Sequence, residues 1–239
     1  MGVTQSLRGA ARRAGRATGS VVRVKTERPE LVLTYDDGPD EETTAAILDV
    51  LAQHGATATF FVLLTRVREQ PDLLREIVAR GHEIGLHGTD HRRMTTIGRR
   101  EARARLVDGR AELESAAGTP VRWYRPPYGA QTLWTWQAAR AAGLTPVLWG
   151  PSLHDWKDLT TEQRLASART GARAGAIVLG HDGFASERDG VSDGPRPVFD
   201  RGEFAEQVLD QYAGLGLACR SLGDVLAHGT PVLEGRFRR

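Results

Sequence analysis

The chain has 239 residues, 40% of them hydrophobic and 26% charged, enough apolar material for one large domain and too much for a wholly disordered protein. A single cysteine, Cys219, excludes an internal disulfide framework, and no run of 18 apolar residues exists to span a bilayer. The formal net charge of +2 is too small to mark nucleic acid as a partner.

That balance hides an asymmetry. Residues 1–28 hold seven arginines and lysines against Glu27 alone, a net +6 that leaves −4 for the rest of the chain. This Gly-, Ala- and Arg-rich segment reads as a disordered tail, separate from a domain over residues 29–239. Its alternative use is contact with anionic lipid or polyanionic glycan. No apolar stretch of signal-peptide length follows Arg12-Arg13, so a cytoplasmic location is expected unless the true N-terminus differs.

From Glu30 onward, short apolar runs alternate with helical patterns, as in β-α-β units built on a mainly parallel sheet. Strands are expected at residues 31–35, 57–63, 83–86, 121–124, 146–149, 176–179 and 217–220. Helices are expected at 41–54, 71–80, 97–117, 132–142, 160–173 and 203–213. The first of these helices lines up Ala45, Ile47, Leu48, Val50 and Leu51 and stops at Gly55; the second opens on Pro71 and closes at Gly81. The fold class is therefore α/β, a distorted or incomplete (β/α) barrel of about seven parallel strands, with an open doubly wound sheet as its rival. Residues 183–202, rich in Gly, Pro, Ser and Asp, read as a mobile loop beside the site. Cys219 lies in an apolar stretch and reads as a buried thiol.

In either architecture, reactive side chains collect just past the carboxyl ends of strands. Residues 34–39, 87–91, 125–129, 152–156 and 181–183 all occupy such positions. His87 and His91 lie four apart, a spacing that lets both imidazoles reach one ion. Asp36 and Asp37 are adjacent carboxylates at a strand end, costly to desolvate without a cation or an arginine. One Asp with two His fits a catalytic zinc site and equally a non-haem Fe(II) triad. Arg125-Pro126-Pro127-Tyr128-Gly129 adds a rigid turn with a guanidinium, and His181 adds a further imidazole. Together these are parts for metal-assisted hydrolysis of an acyl bond. His54 and His228, each next to a glycine at a helix end, read as structural or solvated, and His154 as either a substrate contact or a surface residue. Trp123, Trp134, Trp136 and Trp149 could stack on sugar faces, though most of them read as core.

Five ordered segments between Glu30 and Leu226 resemble the polysaccharide deacetylases, which carry the NodB homology domain of carbohydrate esterase family 4. Thr34-Tyr35-Asp36-Asp37-Gly38-Pro39 resembles T-[FY]-D-D-G-P, and His87 to His91 resembles H-[ST]-x-x-H with Gly88 in place of Ser or Thr. Arg125-Pro126-Pro127-Tyr128 is similar to R-x-P-Y, Leu179-Gly180-His181 to L-x-H, and residues 152–156 to D-x-x-D-W with Ser152 replacing the first Asp.

The resemblance implies a distorted barrel and a metal-dependent hydrolase that removes N-acetyl groups from amino-sugar glycans. It assigns a divalent metal, zinc or in its place cobalt, to Asp37, His87 and His91. It makes Asp36 the general base, Arg125 its holder, Tyr128 an oxyanion donor through its backbone N–H, and His181 the acid. Trp156, Leu179, Asp155 and Pro127 become substrate-side residues. With Ser152 in place of the supporting Asp, His181 is expected to have a lowered pKa unless Asp155 or Asp182 substitutes. The Gly88 change is expected to cost little. The partner is an N-acetylated sugar or glycan. Rival readings are a deacetylase or deformylase of a small, nucleotide-linked or lipid-linked intracellular amino sugar, a non-catalytic carbohydrate-binding relative, and an Fe(II) oxygenase.

Overall fold

The computed structural model describes residues 18–237. Its strands are β1 Ser20–Lys25, β2 Glu30–Asp36, β3 Thr59–Leu63, β4 Glu83–Gly88, β5 Trp123–Tyr124, β6 Thr145–Pro146, β7 Ile177–His181, β8 Ala218–Arg220 and β9 Thr230–Glu234. The helices are α1 Thr44–Gln53, α2 Leu64–Glu69, α3 Pro71–Ala79, α4 Arg99–Ala117, α5 Leu133–Ala141, α6 Thr161–Arg169, α7 Arg201–Gly214 and α8 Leu222–Leu226. All seven expected strands and six expected helices are present within a few residues; β1, β9 and the short α2 and α8 were not foreseen.

The sheet runs β6-β5-β4-β3-β2-β7 with every pairing parallel, and β8 pairs with the start of β2. Side chains alternate across each strand. On β2, Leu31, Leu33 and Tyr35 join the larger core together with helix residues such as Ile47, Leu51 and Leu74. Val32 joins a second cluster with Val21, Phe61, Val147, Ile177 and Val225, drawn from around the curved sheet.

One expectation needs correcting here. The boundary between tail and domain was set at residue 29, yet β1 lies before it and is buried at Val21, Val22 and Val24. β1 pairs antiparallel with β9, bridges Val147 just past β6, and bridges Ala176 just before β7. It thus stands in the seam between the two edge strands and closes the distorted barrel. The charge count concealed it, because Arg23 and Lys25 alternate outward from a strand whose valines point in. Residues 1–17 of the basic segment lie outside the described residues. No helix among the described residues is long and apolar enough to cross a membrane.

The 183–202 segment also differs from its expectation. Its first half is pinned: Asp189 is fully buried, receives two guanidinium nitrogens of Arg66 at 2.7–3.2 Å, and accepts from the Thr65 hydroxyl at 2.8 Å. A charge so paired and bonded is tolerated in the interior where a lone one is not. Cys219 is buried, and burial pushes its thiol up to about 12.

Candidate active site

Strand alternation sends Asp36, at the end of β2, to the same side of the sheet as Val32 and Thr34. Asp37 would then face the helices, but its φ of 75° puts it in the left-handed region and breaks the alternation. Both carboxylates consequently reach one cavity of about 310 Å³, which His87, His91, Tyr128 and His181 also line. The turn behind them is backed by Asp182, buried and accepting from the Gly38 N–H at 3.2 Å and the Thr44 hydroxyl at 2.7 Å. Burial first, then Asp40 and Asp37, push the Asp182 carboxyl up to about 7.

Asp36 Oδ1 accepts from Arg125 Nη1 at 2.7 Å, and the same nitrogen reaches the Thr34 hydroxyl at 2.7 Å. Arg125 is fully buried and lies 4.1 Å over the Phe61 ring, so its charge is answered chiefly by Asp36. Burial moves the guanidinium below its ordinary value, with Asp36 opposing.

Asp37, His87 and His91 form the one group of three or more His, Cys, Asp or Glu that could hold a metal among the described residues, their ligand atoms all within 4.8 Å of one another. Asp37 Oδ1 lies 3.3 Å from His87 Nε2 and 3.4 Å from His91 Nε2. It is buried and has no hydrogen-bond partner. His87 Nδ1 donates to the Arg125 carbonyl at 2.8 Å, which leaves the Nε2 lone pair directed at the group. Burial lowers the His91 pKa and favours the neutral imidazole that ligation requires. Although burial raises it, Asp37 is held well below the usual carboxylate range by His91 and His87. A carboxylate oxygen and two imidazole nitrogens converging without another partner fit a divalent cation.

His181 closes the opposite wall. Its Nδ1 donates to Asp155 Oδ1 at 2.7 Å, and its backbone N–H donates to Asp155 Oδ2 at 2.7 Å. This corrects one expectation. Asp155 is buried behind His181 rather than facing substrate, and it supplies the carboxylate that Ser152 lacks. Of the two substitutes left open for the missing Asp, Asp155 is the one used, so the lowered His181 pKa expected without a partner does not hold. Burial does push it down, but Asp155, then Asp37 and Asp36, raise it to about 9. Asp155 itself is raised by burial yet lowered on balance by His181 and Arg201.

Sequence reasoning missed Arg201 at the start of α7. It is buried, donates to the His181 carbonyl at 3.1 Å, and lies 3.4 Å from Asp155 Oδ2. Ser152→Asp should therefore leave the basic limb of the pH–rate profile in place, since His181 already has its carboxylate; a limb shifted to higher pH would contradict that.

The other residues divide clearly. Trp156 and Leu179 line the cavity, as does Trp149, one of the four tryptophans for which sugar stacking was the alternative to a core role. Pro127 is buried and does not line it. Tyr128 takes φ 59° and lines the cavity. His154 turns away to Ser167 Oγ at 3.0 Å and buttresses Trp156, whose ring meets His181 edge-on at 5.1 Å. His228 pairs with Glu30 at 2.6 Å, a structural contact.

Gly88 is less neutral than it looked. Its φ is 153°, and a Cβ there would lie 2.6 Å from the Asp90 carbonyl oxygen. Gly88→Ser, the residue type usual in the resembled motif, should destabilise the protein by about 1–3 kcal/mol, measurable by thermal denaturation.

The model of the family described as polysaccharide deacetylase matches residues 23–147. The chain belongs to the polysaccharide deacetylase family. A chitooligosaccharide deacetylase of Sinorhizobium fredii is 34% identical over 165 residues, which are 69% of this chain and 77% of that enzyme. A peptidoglycan-N-acetylglucosamine deacetylase of Listeria monocytogenes is 35% identical over 166 residues, covering 68% of this chain but 34% of that larger protein. The solved structure of a peptidoglycan deacetylase from Bacillus subtilis superposes with a TM-score of 0.70 at 26% identity, covering 84% of this chain and 91% of that one. This polysaccharide deacetylase fold presents its candidate residues at the C-terminal ends of β2, β4 and β7 and in the loops after β5 and β6.

Proposed function

We propose that this protein hydrolyses the acetyl amide of N-acetylated amino-sugar glycans or oligosaccharides, giving a free amine and acetate, with a divalent metal, zinc first, at Asp37, His87 and His91. One observation carries the reading. A single cavity sets a carboxylate locked by Arg125 beside a cation-binding triad and faces both with an imidazole locked by Asp155. The names of the relatives support the substrate class.

In this reading Asp36 accepts the proton of the attacking water, and Arg125 fixes the carboxylate so that one oxygen stays free for that proton. When bound, the cation supplies Lewis acidity that favours an ionised nucleophile and a developing oxyanion. The backbone N–H of Tyr128 is the protein's own donor to that oxyanion. His181, kept protonated by Asp155, gives its Nε2 proton to the leaving nitrogen, without which amide cleavage stalls. Trp156 and Leu179 form an apolar wall against which an acetyl methyl group can rest.

The test is acetate release at neutral pH by metal-stripped protein reloaded with zinc or cobalt. The substrates run from N-acetylglucosamine through short oligomers to peptidoglycan fragments. Release that grows with chain length and requires added metal is expected. No release from any glycan, with metal bound, would overturn the glycan substrate and turn the search to small nucleotide-linked or lipid-linked amino sugars.

A further inference from the structure

The two histidines of the triad are not equally supported. His87 Nδ1 has the Arg125 carbonyl as its partner, whereas His91 Nδ1 is buried with no hydrogen-bond partner at all. With Nε2 turned to Asp37, the Nδ1 of His91 must carry the proton, and a buried N–H without an acceptor is costly. The nearest carboxylate oxygen facing that nitrogen is Asp193 Oδ2, at 3.8 Å. Asp193 comes from the 183–202 segment, which no part of the proposed chemistry uses.

One direct contact and one link through Tyr128 tie that segment to His91. The Tyr128 hydroxyl donates to Asp193 Oδ2 at 2.5 Å, and the Tyr128 ring lies 4.3 Å from the His91 ring. Nearer the start of the segment, the carbonyl of Asp189 accepts from the His91 backbone N–H at 2.9 Å. Asp189 is itself clamped by Arg66, so this end of the segment is rigid. The Asp193 side chain is 39% exposed at the cavity rim and can approach from there. Closing 3.8 Å to an ordinary hydrogen bond takes about 1 Å, within a single side-chain adjustment.

We infer that Asp193 is the outer carboxylate partner of His91, so that the 183–202 segment grips one metal ligand at both its main chain and its ring and thereby sets how tightly the cation is held. Asp193 acts through His91 and is a positioning residue. Carboxylates that orient a ligating imidazole and raise its basicity are worth 10–100-fold in metal affinity. The inference rests on Asp37, His87 and His91 being the metal site.

The experiment uses the full chain, stripped of metal, and measures the affinity for Zn2+ by chelator competition and the visible spectrum of bound Co2+. Asp193→Ala should weaken Zn2+ binding roughly 10–100-fold and perturb the Co2+ spectrum. Asp193→Asn, which keeps an acceptor for Tyr128 but loses the charge, should fall between it and the wild type. Tyr128→Phe, which removes only the hydroxyl bond, should stay within about threefold of wild type, since His91 keeps its carboxylate. Melting curves of the metal-free proteins establish that each variant is folded; if Asp193→Ala is not, Asp193→Asn alone decides. Wild-type affinity in the Asp193 variants, with a raised KM, would overturn the inference and make Asp193 a substrate contact. Wild-type protein that binds neither ion would instead bring down the metal site itself, and the inference with it.

Discussion

Asp36→Asn is expected to retain one equivalent of metal and lose acetate release by about 10²–10⁴-fold, the span that a positioned general base contributes. The substitution is close to isosteric. The asparagine carbonyl can still accept from Arg125 Nη1, which now bonds Asp36 Oδ1 at 2.7 Å. It cannot accept a proton from water. The same change deprives a fully buried guanidinium of its counter-charge, and Arg125 Nε and Nη2 have no hydrogen-bond partner to compensate. The melting temperature should therefore fall as well, and turnover must be compared below it. Metal stoichiometry separates the roles: Asp36 Oδ2 lies 3.9 Å from His87 Nε2, farther than Asp37 Oδ1 at 3.3 Å. Loss of metal along with activity would move Asp36 into the ligand set.

The convergence of the candidate residues was legible in the sequence where side chains follow directly from strand ends. Asp36, His87, Arg125 and His181 all lie at or just past the ends of strands that apolar runs had marked, and parallel strands bring those ends together. What escaped depends on local backbone conformation or distant packing. Ser152 stands where the resembled motif has its Asp, but His154 takes φ 52°, and the turned chain delivers Asp155 to His181 instead. Ser152 Oγ is left to accept from the His154 N–H at 3.3 Å. No periodicity predicts a left-handed histidine. Arg201 and Asp193 reach the site from segments distant in sequence, and their own neighbours carry no motif. Trp149 resembles a core residue because it is one on one face; the packing of β1 and the loop after β6 decides that another face meets the cavity.

Asp155→Asn is the second large effect, and its sign follows from the acid's proton. In the proposed reaction His181 must be protonated to serve the leaving nitrogen, so activity is expected below its pKa and should fall as pH rises through about 9. Asp155 is the largest of the groups raising that value, against burial, which lowers it. Removing its charge leaves burial less opposed, and the pKa drops. The basic limb of the kcat/KM profile should therefore move to lower pH. At pH 7 the variant should lose about 10²-fold or more, because both the proton and the ring orientation set by the bonds at 2.7 Å are compromised. Arg201, left without that carboxylate in a buried position, should lower stability too. An unmoved limb would mean that the titrating acid is another group and would remove His181 from that role.

The seam closed by β1 has a consequence for how such a catalytic unit can be rearranged. Ser20 faces Glu234 across the β1–β9 ladder, so the polypeptide enters and leaves the barrel at adjacent points about one strand spacing apart. A few linking residues could join those points, and new ends could be cut in an exposed turn such as Gly216 without unpicking the sheet. The same geometry suits grafting: a host protein could carry the whole unit within a surface loop, its own fold barely stretched by the two closely spaced crossings.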